Sequence, residues 1–393
     1  MKKYLFFAIA VVAVTACSKS ETRDGLTDGN LFPVDKVTAP TPITFGSNVN
    51  SVNTKSQGGI DAWDGNQSLY VYCFAEKDGN IDLKNPFIRN AEAKSPDEGI
   101  RGQLKVYEKP ESQTPYYYQE STVYKFFGYY TDGASTEVPV DNDNKLSVPV
   151  VIDGGQDIML AVATPKEDLN RALEADESNQ DLLMIKDKYE HLIYSGYTAR
   201  RNITPTLFFR HQLVRFKFQI VAGNEHAAQN VKVTAISLLN VNNEGSLVIA
   251  PEEQQGIIVN PDVTTTLKLQ EKVNGTLQSL TPMAPPLDEP EQIGESLMVM
   301  LADSYKMLFT LQQDGITGTK DSKEYILDKG IVDTDPVTDG IQSPDKLEIG
   351  YEYVVTIKIF GLEEIEIYAE LKPWNPGGNI TIDPDDPEHF FDA

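Results

Sequence analysis

The chain has 393 residues, 40% hydrophobic and 24% charged, with 59 acidic against 34 basic side chains and a formal charge of −25. That length and apolar content can build a core without covalent staples. The acidic surface repels phosphate backbones, which excludes nucleic acid as a partner, and gains nothing from an anionic bilayer.

Lys2 and Lys3, followed by an apolar run over 5–14, read as an export signal too short to span a bilayer. The run ends in Val14, Thr15, Ala16 and Cys17, the order read by bacterial lipoprotein signal peptidase. Residues 1–16 are therefore expected to be removed, and Cys17 to carry several acyl chains, which anchor where a single chain does not. Processing removes two lysines and no acid, moving the formal charge from −25 to −27. With one of two cysteines taken by lipid, Cys73 has no intramolecular disulfide partner, and its apolar setting over 69–74 predicts a buried, inert residue on a strand.

Residues 17–40 are rich in Ser, Thr, Asp, Gly and Pro and read as a flexible tether. Beyond them, strands are expected over 43–49, 146–150, 158–162, 214–220, 231–236 and 353–359, where apolar and polar residues alternate between Gly, Asn, Asp and Pro clusters. Such alternation predicts an all-β fold of antiparallel sheets stacked as sandwiches. One helical insertion is expected over 166–175 and 181–194, with Pro165 placed to begin it. A boundary near residue 210 divides the mature chain into an N-terminal sandwich, 41–210, and a C-terminal one, 211–393, that ends in a Pro/Asp-rich tail. The turn-rich stretches 282–290 and 333–340 are read as loops.

Residues suited to catalysis are sparse. The four histidines, at 191, 211, 226 and 389, show no metal-ligand spacing, so no metal or cofactor is expected. His211, near the start of a strand, reads as a satisfied, partly buried histidine. The acidic stretches 141–144 and 383–388 lack the EF-hand pattern and read as solvated loops. No nucleophile elbow, P-loop or dinucleotide fingerprint occurs, so the chain is read as a non-enzyme. Aromatic residues crowd 116–130; Tyr124, Phe126 and Tyr130 share one strand face and are expected in the core, as are Trp63 and Trp374.

Taken together, 43–45 with Thr54, Lys55 and 63–65, the strand 124–130, and the segments 155–161, 209–218 and 372–378 resemble the fimbrillin family, subunits and tip or accessory proteins of type V pili that are exported as lipoproteins. The resemblance implies two transthyretin-like β-sandwich domains, the first with a strand that a trypsin-like protease releases, opening a slot for a strand of the next subunit. A sandwich lacking an edge strand leaves backbone groups and apolar pockets that an alternating segment satisfies. Here the removable strand would carry Ile43, Phe45 and Val49, the cut would follow Lys55, and Ile380 and Ile382 mark a candidate donor strand. The implied partners are other fimbrillin subunits, outer-membrane lipid through Cys17, and a surface ligand of host or bacterium. A different class fits the same composition: a surface glycan-binding lipoprotein feeding a polysaccharide-uptake system, for which Tyr116 and Tyr117 would be exposed platforms. A two-carboxylate glycosidase ranks third.

Overall fold

The computed structural model describes residues 40–49, 62–97, 99, 101–313, 320–328, 347–362 and 365–373, with Pro33; of 320–328 and 365–373 only the backbone is described. Cys17, Lys55, Trp374, Ile380, Ile382 and the stretch 333–340 lie outside the described residues.

Alternation dominates the local structure, and the chain is mainly β, with several sheets and one short helical region. Strands form at Phe45–Val49, Lys145–Val151, Met159–Val162, Val214–Ala222, Val231–Asn242 and Tyr351–Ile359, at each expected position. An eight-stranded sheet runs Asn80–Ile81, Ser68–Lys77, Val123–Tyr130, Met159–Val162, Thr206–His211, Phe45–Val49, Arg101–Leu104, with Ile88–Lys94 also paired to Ser68–Lys77. Its Tyr72, Phe74, Phe127 and Leu160 share one buried cluster with Leu146, Val148, Leu247 and Ile249 of a four-stranded sheet. That second sheet runs Gly256–Val259, Glu244–Ala250, Lys145–Val151, Val140–Asn142, so its backbone pairing joins segments on both sides of residue 210.

A five-stranded sheet is built on Val214–Ala222 and Tyr351–Ile359, and another four-stranded sheet on Val231–Asn242 and Ser304–Gln313. Phe216, Ile220, Val355 and Ile357 of the former pack with Val233, Ile236, Met307 and Phe309 of the latter in a cluster drawn wholly from residues 214–359.

Sheets were expected to be antiparallel throughout, and two pairings correct that. Phe45–Val49 runs parallel to Thr206–His211, and Val214–Ala222 runs parallel to Tyr351–Ile359. In each case the partners lie more than a hundred residues apart with whole sheets between them, so no local crossover unit announces the pairing.

The helical region starts at Pro165–Ala175, where proline in the first turn gives up no needed N–H. Asn179 caps Gln180–Met184 by accepting from the Asp181 and Leu182 amides, and a wider π-helical turn over Ile185–Tyr189 and a tighter 3-10 turn over Glu190–Leu192 lead on to Gly196–Ala199. Leu169, Leu173, Leu182, Ile185 and Tyr194 are among its buried side chains.

Candidate functional site

The segment 41–49 is threaded along a slot. Tyr118 N donates to Thr41 O at 2.9 Å and Ile43 N to Tyr116 O at 2.8 Å, so the entering backbone is paired before the strand begins. Phe45–Val49 then lies between two strands remote in sequence. Gly46 through Val49 match Thr206 through Phe209 in parallel, and Phe45 through Asn48 match Leu104 through Arg101 antiparallel. The resemblance implied an edge strand; the structure instead places this strand one position inside the edge, with ladders on both flanks.

Alternation decides which side chains fill the slot. Ile43, Phe45, Ser47 and Val49 are all at most 2% exposed. Phe45 meets Phe126 edge to face, with centroids 5.3 Å apart. The Ser47 hydroxyl donates to Gly102 O at 3.2 Å, which satisfies the one polar group in the row. Gly46 has a steric reason: a Cβ there would sit 2.9 Å from Thr206 Oγ1, so only glycine lets the parallel partner come this close.

Beside the slot, the helical region fixes the flanking strand. Asp168, 3% exposed in the first helix, accepts from Tyr194 Oη at 2.6 Å and from the Thr206 amide at 2.9 Å through Oδ2, while Oδ1 accepts from Arg171 at 2.6 Å. Burial raises the Asp168 carboxyl above its ordinary value, against the opposing pull of Tyr194, Thr206 and Arg171. The same Arg171 donates to Thr206 Oγ1 and lies 4.9 Å over the Phe208 ring. Arg200 reaches Thr41 Oγ1 at 2.7 Å, tying the helical region to the entering segment as well.

Asp168, Arg171, Thr206 and Arg200 were not singled out in the sequence. A carboxylate in a helix first turn is ordinary, and only its burial beside Leu169 marks it. Ile43, Phe45 and Val49 come together in the slot; Lys55, Ile380, Ile382 and Cys17 fall outside the described residues.

Other residues take the bland role expected of them. His211, 2% exposed, has Nδ1 3.0 Å from both carboxylate oxygens of buried Asp157. Cys73 is fully buried, which pushes its thiol well above the ordinary value and leaves it unreactive. Trp63, Tyr124, Phe126 and Tyr130 are buried, and Trp63 packs edge to face on Phe209 at 5.5 Å. Of the two candidate platforms, Tyr117 is 40% exposed and Tyr116 is partly covered, 6.2 Å from Phe87. Among the described residues no group of His, Cys, Asp and Glu is arranged to hold a metal ion.

A family model described as Fimbrillin-like matches residues 52–374, and one for a prokaryotic membrane lipoprotein lipid attachment site matches residues 1–18, which include Cys17. No curated protein matches. Among solved structures, a Bacteroides uniformis protein assigned to cell adhesion is 14% identical at a TM-score of 0.47, over 86% of this chain and 99% of its own. A fimbrial protein from Bacteroides vulgatus is 12% identical at a TM-score of 0.42, over 84% of this chain and 99% of its own. The tip fimbrial protein Mfa3 from Porphyromonas gingivalis, truncated at its C-terminus, is 11% identical at a TM-score of 0.38, over 84% and 99%.

Proposed function

This chain belongs to the fimbrillin-like family, and from that premise we propose that it is a pilus subunit or a tip or accessory component for cell-surface adhesion, assembled by protease-triggered donor-strand exchange. It is a structural protein of that family, not an enzyme. The lipid attachment site makes it a lipoprotein; we assign the lipid to Cys17 and the anchor to the outer membrane, with the fold displayed at the cell surface.

One observation carries the mechanism. Both neighbours of Phe45–Val49 come from elsewhere in the chain, and its covalent link to the rest of the fold passes through 50–61, the stretch that holds Lys55. A cut after Lys55 leaves the strand held by ladder hydrogen bonds and buried side chains alone. Those are interactions that an incoming strand of the same pattern replaces one for one. The order of side chains in the slot, apolar, apolar, small polar, apolar, is the specification a donor must meet. Ile380 and Ile382, two residues apart, supply two of those positions in the candidate donor strand.

In this reading the finer architecture is two transthyretin-like sandwiches divided near residue 210, the first completed by Glu244–Ala250, which pairs back onto Lys145–Val151, and by Gly256–Val259 beside it. The reading is supported by the cluster confined to 214–359, which needs no residue from the N-terminal part. Trypsin treatment followed by size-exclusion chromatography tests the assembly step. Cleavage after Lys55 should convert monomer into oligomers, alone or with partner fimbrillins, and Lys55→Ala should stay monomeric. Cleaved protein that remains monomeric in both settings removes strand exchange.

A further inference from the structure

One wall of the slot is stiff at its centre. A Cβ at the position of Gly46 would lie 2.9 Å from Thr206 Oγ1 and 3.2 Å from its Cγ2, so both branches of the threonine face the gap. A β-branched residue has only one hydrogen on Cβ, and turning its χ1 leaves at least one branch there. The wall is also tied from behind. Arg171 donates to Thr206 Oγ1 at 2.6 Å, and the Thr206 amide donates to Asp168 Oδ2 at 2.9 Å, so Thr206 draws back only by breaking those bonds. The adjoining position is the opposite in character: Phe45 is 1% exposed, in an apolar place closed by Phe126. An occupant therefore needs a bulky apolar residue with glycine next to it in the chain.

The candidate donor of this chain lacks that pair. Ile380 and Ile382 have Asn379, Thr381 and Asp383 as their chain neighbours. When either isoleucine takes the place of Phe45, one of those three faces Thr206, whichever way the strand runs. In the direction of Phe45–Val49 it is Thr381 or Asp383, and in the reverse direction Asn379 or Thr381. Each brings a Cβ and a branched head into a gap that fits neither. Trp374, Phe390 and Phe391, the remaining bulky apolar residues of 374–393, likewise have no glycine beside them, since Gly377 and Gly378 stand between Pro376 and Asn379.

We propose that Thr206 selects the donor, so that the slot takes the strand of a different subunit and not that of a second copy of this chain. The partner is defined by the pattern that 43–49 itself shows: apolar, any residue, apolar, glycine, small polar, any residue, apolar. Main-chain pairing supplies affinity in such strand addition, and the pockets for alternate side chains supply choice. A chain that accepts a foreign strand and rejects its own joins a mixed fibre and does not extend itself. Its own 379–383 remains available to a subunit whose slot has no threonine at this point. The inference rests on the strand exchange proposed above and names the partner for it.

Fluorescent synthetic peptides of residues 38–52 and 374–388 test the selection on the full chain cleaved after Lys55. The first should be taken up at least tenfold better than the second, and replacing Gly46 of the first by alanine should lower its uptake about tenfold. Thr206→Ala, which removes both branches, should restore uptake of that alanine peptide. The cleaved chain alone should stay monomeric in size-exclusion chromatography. Equal uptake of the two peptides, self-assembly of the cleaved chain, or an alanine penalty that persists in Thr206→Ala overturns the proposal. Thermal unfolding checks the variant; should it fail to fold, the peptides decide, since Gly46→Ala must lose uptake and Thr44→Ala, at an exposed position, must not. Uptake of neither peptide removes strand exchange and this inference with it, whereas uptake of both alike removes the selection and leaves strand exchange standing.

Discussion

The two parallel strand pairs differ in length and in the apolar surface they bury. Phe45–Val49 matches Thr206–His211 at four positions and carries Gly46, Ser47 and Asn48 between its apolar ends. Val214–Ala222 matches Tyr351–Ile359 at eight positions, with Tyr353, Val355, Ile357 and Ile359 all fully buried and Arg215 directly opposite Glu352. Each fully buried large apolar side chain contributes about 1.5–3 kcal/mol. The first strand therefore holds by three such groups, counting Ile43, and the second by a longer continuous set. Under the proposed strand exchange, a strand that leaves intact and is replaced needs enough burial to seat correctly and too little to be permanent. The first pair has the composition that proposal asks for, and the second has the composition of a core.

Substitutions can sharpen or break this contrast. The largest effect should come from the second pair. Arg215 Nε lies 2.6 Å from Glu352 Oε2, both nearly inaccessible, so Arg215→Ala strands a buried carboxylate and should cost about 4 kcal/mol in denaturant unfolding. A paired Arg215→Met, Glu352→Leu variant should recover most of that. In the first pair, Phe45→Ala leaves a cavity against Phe126 and should cost about 3 kcal/mol before cleavage. After cleavage after Lys55, the same substitution should accelerate loss of the strand, which mass spectrometry of the separated fragments would follow. Equal effects on cleaved and uncut protein would mean that the strand is ordinary core.

Asp168→Ala removes the acceptor shared by Tyr194, Thr206 and Arg171 and should cost about 2 kcal/mol. Hydrogen exchange should show the loss at Thr206–His211 and leave Tyr351–Ile359 unmoved. The smallest effect is one of pH. Burial raises the carboxyls of Asp132 and Asp168 above the ordinary 3.8. A raised folded-state value favours the protonated form, so this contribution is complete below pH 3.8 and is lost as pH rises through the raised values. Exchange protection around Thr206–His211 should thus fall, relative to Tyr351–Ile359, as pH is raised from 3.8 across that window, and Asp168→Asn should flatten the trend.

Much of the fold was legible because its signals are local. Tyr124, Phe126 and Tyr130 alternate, Pro165 opens a helix, and Cys73 sits in an apolar run; each lies where that pattern requires. Pairing partners are not local. Nothing in residues 101–104 announces a strand that closes over Phe45–Val49, and the alternation of 43–49 is the same at an edge as inside it. The clamp on Thr206 is similarly hidden, since Asp168 reads as a solvated helix-start carboxylate until Tyr194 and Thr206 are brought to it by the intervening turns.

Peptide uptake tests the proposed strand exchange most directly. A fluorescent synthetic peptide of residues 38–52 is mixed with uncut protein and with protein cleaved after Lys55, and its co-elution with the folded chain is followed over time. Uptake by the cleaved protein alone, abolished when Gly46 of the peptide is replaced by valine, which would collide with Thr206, is the predicted result. Cleaved protein that keeps its own strand and refuses the peptide would contradict it.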